Sequence, residues 1–257
     1  MGGRGAHSSM EASKKSAKFE WTRERETKKK YSIEYPIGEE NKMMYNDTIG
    51  NLASIFPILE IKDIVPITVI SKTVAGVAMM GVTSSLDPQT GNTIIEPIMG
   101  LAFNKEVFKT KESLEETIKR NFDLKHLAAS NTNAIVVHEI AHILDFQLSI
   151  KQNLNISLTE FLKPTSFANA TEAESRQGKL RNAIARGKRF SDSFPEALRS
   201  EMNINASELQ NMVSEYSKKS PAEFFAESFA KWYCSSNKNG EFERAFYKIL
   251  RERINKL

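Results

Sequence analysis

The sequence holds a single cysteine, Cys234, which excludes an intramolecular disulfide and any cysteine-rich structural metal site and fits a reducing compartment. No apolar run approaches the roughly 18 to 20 residues that a membrane-spanning helix requires, so no membrane contact is expected. The first thirty residues lack the apolar stretch of a secretory signal. Ala6 stands where a myristoylation site wants Ser or Thr. These absences lead to the expectation of a cytoplasmic chain.

What is present is unevenly arranged. The net charge of +4 is concentrated at the start, where Lys14, Lys15, Lys18, Lys28, Lys29 and Lys30, with Arg4, Arg23 and Arg25, face only four glutamates, Glu11, Glu20, Glu24 and Glu26. Such a segment is either a solvated tail or a weak contact for nucleic acid or an acidic partner. The expected division is a basic, largely flexible arm over 1–50 and one folded domain over 51–257, since a chain of 257 residues is long enough to bury one substantial core.

From Ile55 to about Phe108 the residues are β-branched and apolar, broken by turn formers, which predicts sheet. Candidate strands include Ile67-Thr68-Val69-Ile70 and Val77-Ala78-Met79-Met80. The segment Asp87-Pro88-Gln89-Thr90-Gly91-Asn92 predicts a turn, with Thr93 to Phe103 returning as the partner strand. Pro97 removes a ladder donor and favours an edge or a bulge. Beyond Lys111 the spacing turns helical, with helices predicted over 111–129, 133–149, 170–188, 207–216, 221–235 and 240–254. The polar stretch from Leu154 to Ala206 reads as a helical insertion with a solvated basic face.

The segment His138-Glu139-Ile140-Ala141-His142 carries the chemistry. At about 3.6 residues per turn its two histidines project from one helix face and can grip one tetrahedral zinc ion, while Glu139 can reach a water on that ion without being a ligand. The apolar flanks, from Ile135 to Leu144, predict burial, where two imidazoles and a carboxylate need partners or a metal to offset desolvation. A catalytic zinc usually takes three protein ligands and leaves a position open. The longer H-E-x-x-H-x-x-G-x-x-H pattern fails, because Asp145 and Leu148 stand at its last two defined positions. Asp145 is read either as orienting an imidazole or as a helix-surface carboxylate. His7 and His126 are poor ligand candidates. The segment Ser220-Pro221-Ala222-Glu223-Phe224-Phe225-Ala226-Glu227 is better: Ser and Pro suit a helix start, and Glu223 and Glu227 lie four apart beside a large aromatic surface.

The pair of segments resembles the anthrax lethal factor-like group of gluzincin metallopeptidases, found in toxins and phage-encoded proteins. The resemblance lies in His138-Glu139-Ile140-Ala141-His142, Asp145, Tyr216 and Glu223-Phe224-Phe225-Ala226-Glu227. It implies an α+β zincin-like metallopeptidase domain, with a small mixed or antiparallel sheet packed on the active-site helix and a mainly helical C-terminal subdomain. It assigns His138, His142 and Glu223 to zinc, Glu139 to water activation, Tyr216 to the oxyanion, and Glu227 to the shell behind the ligands. The opening Met1-Gly2-Gly3-Arg4-Gly5-Ala6 is similar to the starts of reading frames beside phage head-morphogenesis genes, which adds virion association to the expected locations.

The expected activity is zinc-dependent endopeptidase action on a peptide or protein substrate, with phage virion or host proteins as partners. A peptide could add as a strand along the edge near Ile98 to Phe103. A second reading, from another class, is a virion structural or nucleic-acid-binding protein that retains an inactive zincin fold. Salt-sensitive DNA binding without zinc would favour it. A third is a toxin effector, recognised by toxicity that disappears in Glu139→Gln.

Overall fold

The computed structural model describes residues 38–59, 63–67, 75–154 and 158–257. It is a mixed α+β structure in which one small sheet and a set of helices share a core. The sheet grows from a hairpin of β2 (Gly76–Leu86) and β3 (Thr93–Asn104), paired antiparallel from Leu86↔Thr93 to Gly76↔Phe103. Its turn closes as the residues predict. The Asp87 carboxylate accepts hydrogen bonds from the Gln89 amide at 2.9 Å and the Thr90 hydroxyl at 2.7 Å. Gly91, at φ +70°, takes a left-handed conformation in which a Cβ would be strained.

On its other side β3 receives β1 (Asp63–Ile67) in parallel against residues 100–104 and β4 (Thr165–Phe167) antiparallel against residues 93–95. The strand expected at Ile67–Ile70 lies, apart from Ile67, outside the described residues. Because β1, β2 and β4 all pair with β3, that strand is central. The expected peptide-binding edge at Ile98–Phe103 is therefore covered on both sides from Gly100 onward, while Pro97 sits where, among the described residues, β3 has one flank unpaired. Pro97 is tolerated because it falls between the stretches taken by β4 and β1, where only β2 is its neighbour. Among the described residues β1, β2 and β4 each pair with β3 alone, so β2, the longest of the three, has an open flank.

Helix α1 (Glu39–Ile55) crosses the boundary expected at residue 50. Tyr45, Ile49 and Leu52 are fully buried, so residues 39–50 belong to the folded body; residues 1–37 lie outside the described part. After α2 (Lys111–Asp123) comes α3 (Ala134–Leu154), of which nearly every residue from Ala134 to Ile150 is buried. It packs against β2 and against α8 (Pro221–Cys234).

Between α3 and α8 lie α4 (Leu158–Phe161), β4, α5 (Ala170–Arg186), α6 (Phe194–Met202) and α7 (Ala206–Asn211). This stretch is more than a solvated insertion. It supplies β4 to the sheet, α5 packs on β2 and β3, and Phe161, Phe194 and Leu198 are fully buried. A single 3-10 turn (Tyr216–Lys219) leads into α8, and α9 (Glu241–Ile254) closes the order. Under α8, Phe225 meets Phe194 edge-on at 5.1 Å and Trp232 stacks on Tyr247 at 5.2 Å. Rings in these arrangements add to their area burial, and they press the opposite face of α8 toward α3. Among the described residues no helix is long and apolar enough to cross a membrane.

Candidate metal centre

The start of α8 is set by its sequence. Ser220 accepts a hydrogen bond from the Glu223 amide at 3.2 Å and Pro221 occupies the first turn, as capping chemistry prefers. This places Glu223 in the first turn, where the exposed amide dipoles favour a carboxylate, and Glu227 one turn later. The burial of α3 fixes its own rotation, so that His138 and His142 face α8.

The helices bring together the residues expected from the sequence. The Glu223 Oε2 lies 3.2 Å from His138 Nε2 and 3.2 Å from His142 Nε2, and the two Nε2 atoms are 3.1 Å apart. One donor atom from each of the three residues falls within 4.8 Å of the others, a group able to hold a metal ion. Ligands at the 2.0–2.1 Å typical of a tetrahedral N/O site stand about 3.3 Å from one another, so the observed spacing fits such an ion. So does the chemistry: two lone-pair nitrogens and an anionic oxygen converge where only a shared proton or a cation relieves their repulsion.

Behind the ligands, His138 Nδ1 lies 2.6 Å from Glu227 Oε1. The contact is short but off the line of a full hydrogen bond, and neither atom has another partner among the described residues. The other carboxylate oxygen, Oε2, accepts from the Ala128 backbone amide at 2.6 Å. Glu227 is fully buried, held by the Ala128 amide, and presents its other oxygen to His138 Nδ1, away from the Nε2 atom that faces Glu223.

The protonation states follow from these contacts. Burial opposes a charge on His138, yet the carboxylates of Glu223 and Glu227 outweigh it and raise its pKa well above the ordinary histidine value. Burial pushes Glu223 upward, and the hydrogen bonds from His138 and His142 more than reverse this, leaving it far below the usual carboxylate range. Glu139 is raised, chiefly by burial and also by the charge of Glu223, against the lowering pull of the two histidines and a hydrogen bond from the Ala78 backbone. Glu139 thus stands beside the three groups that could hold a metal ion, with its proton affinity raised.

Tyr216 opens the 3-10 turn, its ring edge-on to that of His138 at 5.9 Å and covered by the Lys219 ammonium at 3.6 Å. Burial first, then the charges of Glu223, Glu139 and Glu227, raise its phenol, so the hydroxyl keeps its proton and can donate. The turn is held by the Glu215 amide, which donates to the Lys125 carbonyl at 2.7 Å.

Asp145 accepts its hydrogen bonds from Ser191 rather than from an imidazole, although His142 is near enough to act on its charge. Asp145 is 1% exposed, so it is no surface carboxylate. Its hydrogen bonds come from Ser191, from the backbone amide at 2.8 Å and the hydroxyl at 3.0 Å, with the Arg189 guanidinium at 4.0 Å. It ties α3 to the loop before α6. His126 is exposed and outside the cluster, and His7 lies outside the described residues. The sequence reading missed Ala128, which acts through a main-chain amide that any residue would offer, and Ser191, which carries no distinguishing pattern. Comparison of the chain with protein-family models, with curated proteins and with solved structures gives no match, so the functional reading rests on the site itself.

Proposed function

We propose that this protein is a zinc-dependent endopeptidase of the lethal factor-like gluzincin kind, with His138, His142 and Glu223 as the metal ligands. The observation that carries the reading is the convergence of these three donors from two helices, His142 and Glu223 being 81 residues apart in sequence, with a raised carboxylate, Glu139, and a proton-holding phenol, Tyr216, beside them. Two imidazoles and one carboxylate are a donor set that suits zinc and leaves a coordination position for chemistry. When bound, zinc supplies Lewis acidity toward a carbonyl and lowers the pKa of a water from about 15.7 to about 7.

The protein's own groups do the rest. Glu139 accepts a proton from the attacking water and returns it to the leaving amine. Tyr216 donates its hydroxyl to the oxyanion that develops on the former carbonyl oxygen. Glu227 holds His138 with its proton on Nδ1, leaving the Nε2 lone pair free for the metal. An extended peptide has a place along the open flank of β2, whose first residues run beside Glu139, where backbone hydrogen bonds would hold it and side-chain pockets would select its sequence.

The test is a set of four variants assayed for metal content and for cleavage of a peptide library with and without chelator. His138→Ala and Glu223→Ala lose the metal. Glu139→Gln and Tyr216→Phe keep it, and lose about 100-fold or more in turnover. Full cleavage by Glu139→Gln, or by chelated wild-type protein, rules out the mechanism.

A further inference from the structure

Glycine at position 76 has a specific neighbour. A Cβ added to Gly76 would stand 2.8 Å from Glu139 Cγ, 3.1 Å from its Oε1 and 3.3 Å from its Cδ. The first of these is closer than real side chains come. No turn requires the glycine, because its φ lies outside the left-handed region and the residue sits in a regular strand paired with Phe103. The Ala75 carbonyl just before it accepts from the Asn104 amide at 2.9 Å, so the strand is held at this point and cannot bow away. On the other side, Val136, Val137, Ile140 and Ala141 are fully buried, so α3 cannot recede either. The yielding part is the Glu139 side chain.

We propose that Gly76 is a positioning residue for Glu139: its bare α-carbon lets the carboxylate stand against the start of β2, within reach of the Ala78 backbone and beside the three metal-holding groups. A methyl group at this position turns the Glu139 side chain about its own bonds and displaces its oxygens, while the ligand triad, contributed by other positions of α3 and by α8, stays in place. The inference rests on the reading of Glu139 as the proton acceptor, and its test separates the two.

In metal-loaded full-length protein, Gly76→Ala lowers kcat by about 100-fold, the scale for a misplacement of the order of 1 Å in a reacting group, with KM and the zinc Kd unchanged. In the Glu139→Gln background the same substitution leaves the residual rate unaltered, because there is no base left to displace. Gly178→Ala, on α5, where an added Cβ meets nothing within 4 Å, is the control and keeps wild-type kcat. A stability measurement runs independently of activity: the drop in thermal midpoint caused by Gly76→Ala disappears in the Glu139→Ala background, where Cγ is gone. If Gly76→Ala unfolds the protein, recovery of folding by Glu139→Ala supports the contact and failure to recover overturns it. Wild-type kcat in Gly76→Ala, or an equal fold-loss in both backgrounds, also overturns the proposal. A wild-type protein without peptidase activity would instead remove the catalytic reading, while the stability pair still reports on the contact.

Discussion

Replacing Glu227 by glutamine is the most demanding test of how the ligands are held. Both of its neighbours are donors: the Ala128 amide at 2.6 Å from Oε2 and His138 Nδ1 at 2.6 Å from Oε1. A carboxylate accepts from both; a carboxamide has one acceptor and one donor end. If glutamine keeps the Ala128 bond, its NH₂ faces Nδ1 and favours the tautomer with the proton on Nε2, where the metal must bind. If it flips, the half-buried Ala128 amide is left without its acceptor, at about 1–3 kcal/mol. The expected result is a zinc affinity lower by about 10- to 100-fold, or about 1.4–2.7 kcal/mol, at almost unchanged side-chain volume. The assay is competition with a chromogenic chelator at fixed pH, beside Glu139→Gln, which removes a charge from the same site but from no ligand's support. Equal zinc affinity in Glu227→Gln and wild type would refute the claim that Glu227 fixes the His138 tautomer.

Other expectations follow from the same contacts. Asp145→Ala removes the acceptor for two buried hydrogen bonds from Ser191 and lowers stability by about 3 kcal/mol in urea unfolding, with zinc affinity kept; a selective loss of zinc affinity would instead tie Asp145 to His142. Zinc binding must release the proton that Glu223 and Glu227 help His138 to hold, so affinity rises with pH through the neutral range, by up to about tenfold per unit, as calorimetry at several pH values would show. In the metal-free protein, the raised His138 contributes stability that is present below its unfolded pKa of about 6.5 and lost as pH rises through the folded value. The depressed Glu223 contributes stability present above about 4.3 and lost as pH falls through its folded value. Urea midpoints measured with and without zinc check both arms, and saturation with zinc removes the alkaline one. Phe225→Ala, at a fully buried ring in contact with Phe190, Phe194, Phe229 and Phe246, costs about 3–5 kcal/mol by the same measurement.

The site was readable because its parts obey short-range rules. The i, i+4 histidines need only a helix to face one way, and α8 announces its first residue through Ser220 and Pro221. Much of the sheet was readable from β-branched composition and from the turn at 87–92. What escaped depends on tertiary partners. The spacing Tyr45, Ile49, Leu52 was a helical signal, but it lies among polar residues and follows a basic run, so α1 was read as arm. Helix α6 was not among the predicted helices; Pro195 occupies its first turn, a position that tolerates proline. β4 has three residues, too few to show a period. Pro97 marked the unpaired flank of β3 correctly, but that β1 and β4 cover the rest of that side is invisible along the chain. The destination of Asp145 was equally hidden, because Ser191 is 46 residues away.

The loop between α2 and α3 has a consequence for how this protein could lose its chemistry. Through the Lys125 carbonyl it suspends the turn that begins with Tyr216, and through the Ala128 amide it clamps the carboxylate behind His138. Four residues of main chain therefore govern both the phenol and one imidazole. A proline at Ala128, which abolishes the amide, would release the carboxylate behind His138, and a distortion of the loop at Lys125 would free the turn of Tyr216, neither touching a residue of the proposed reacting groups.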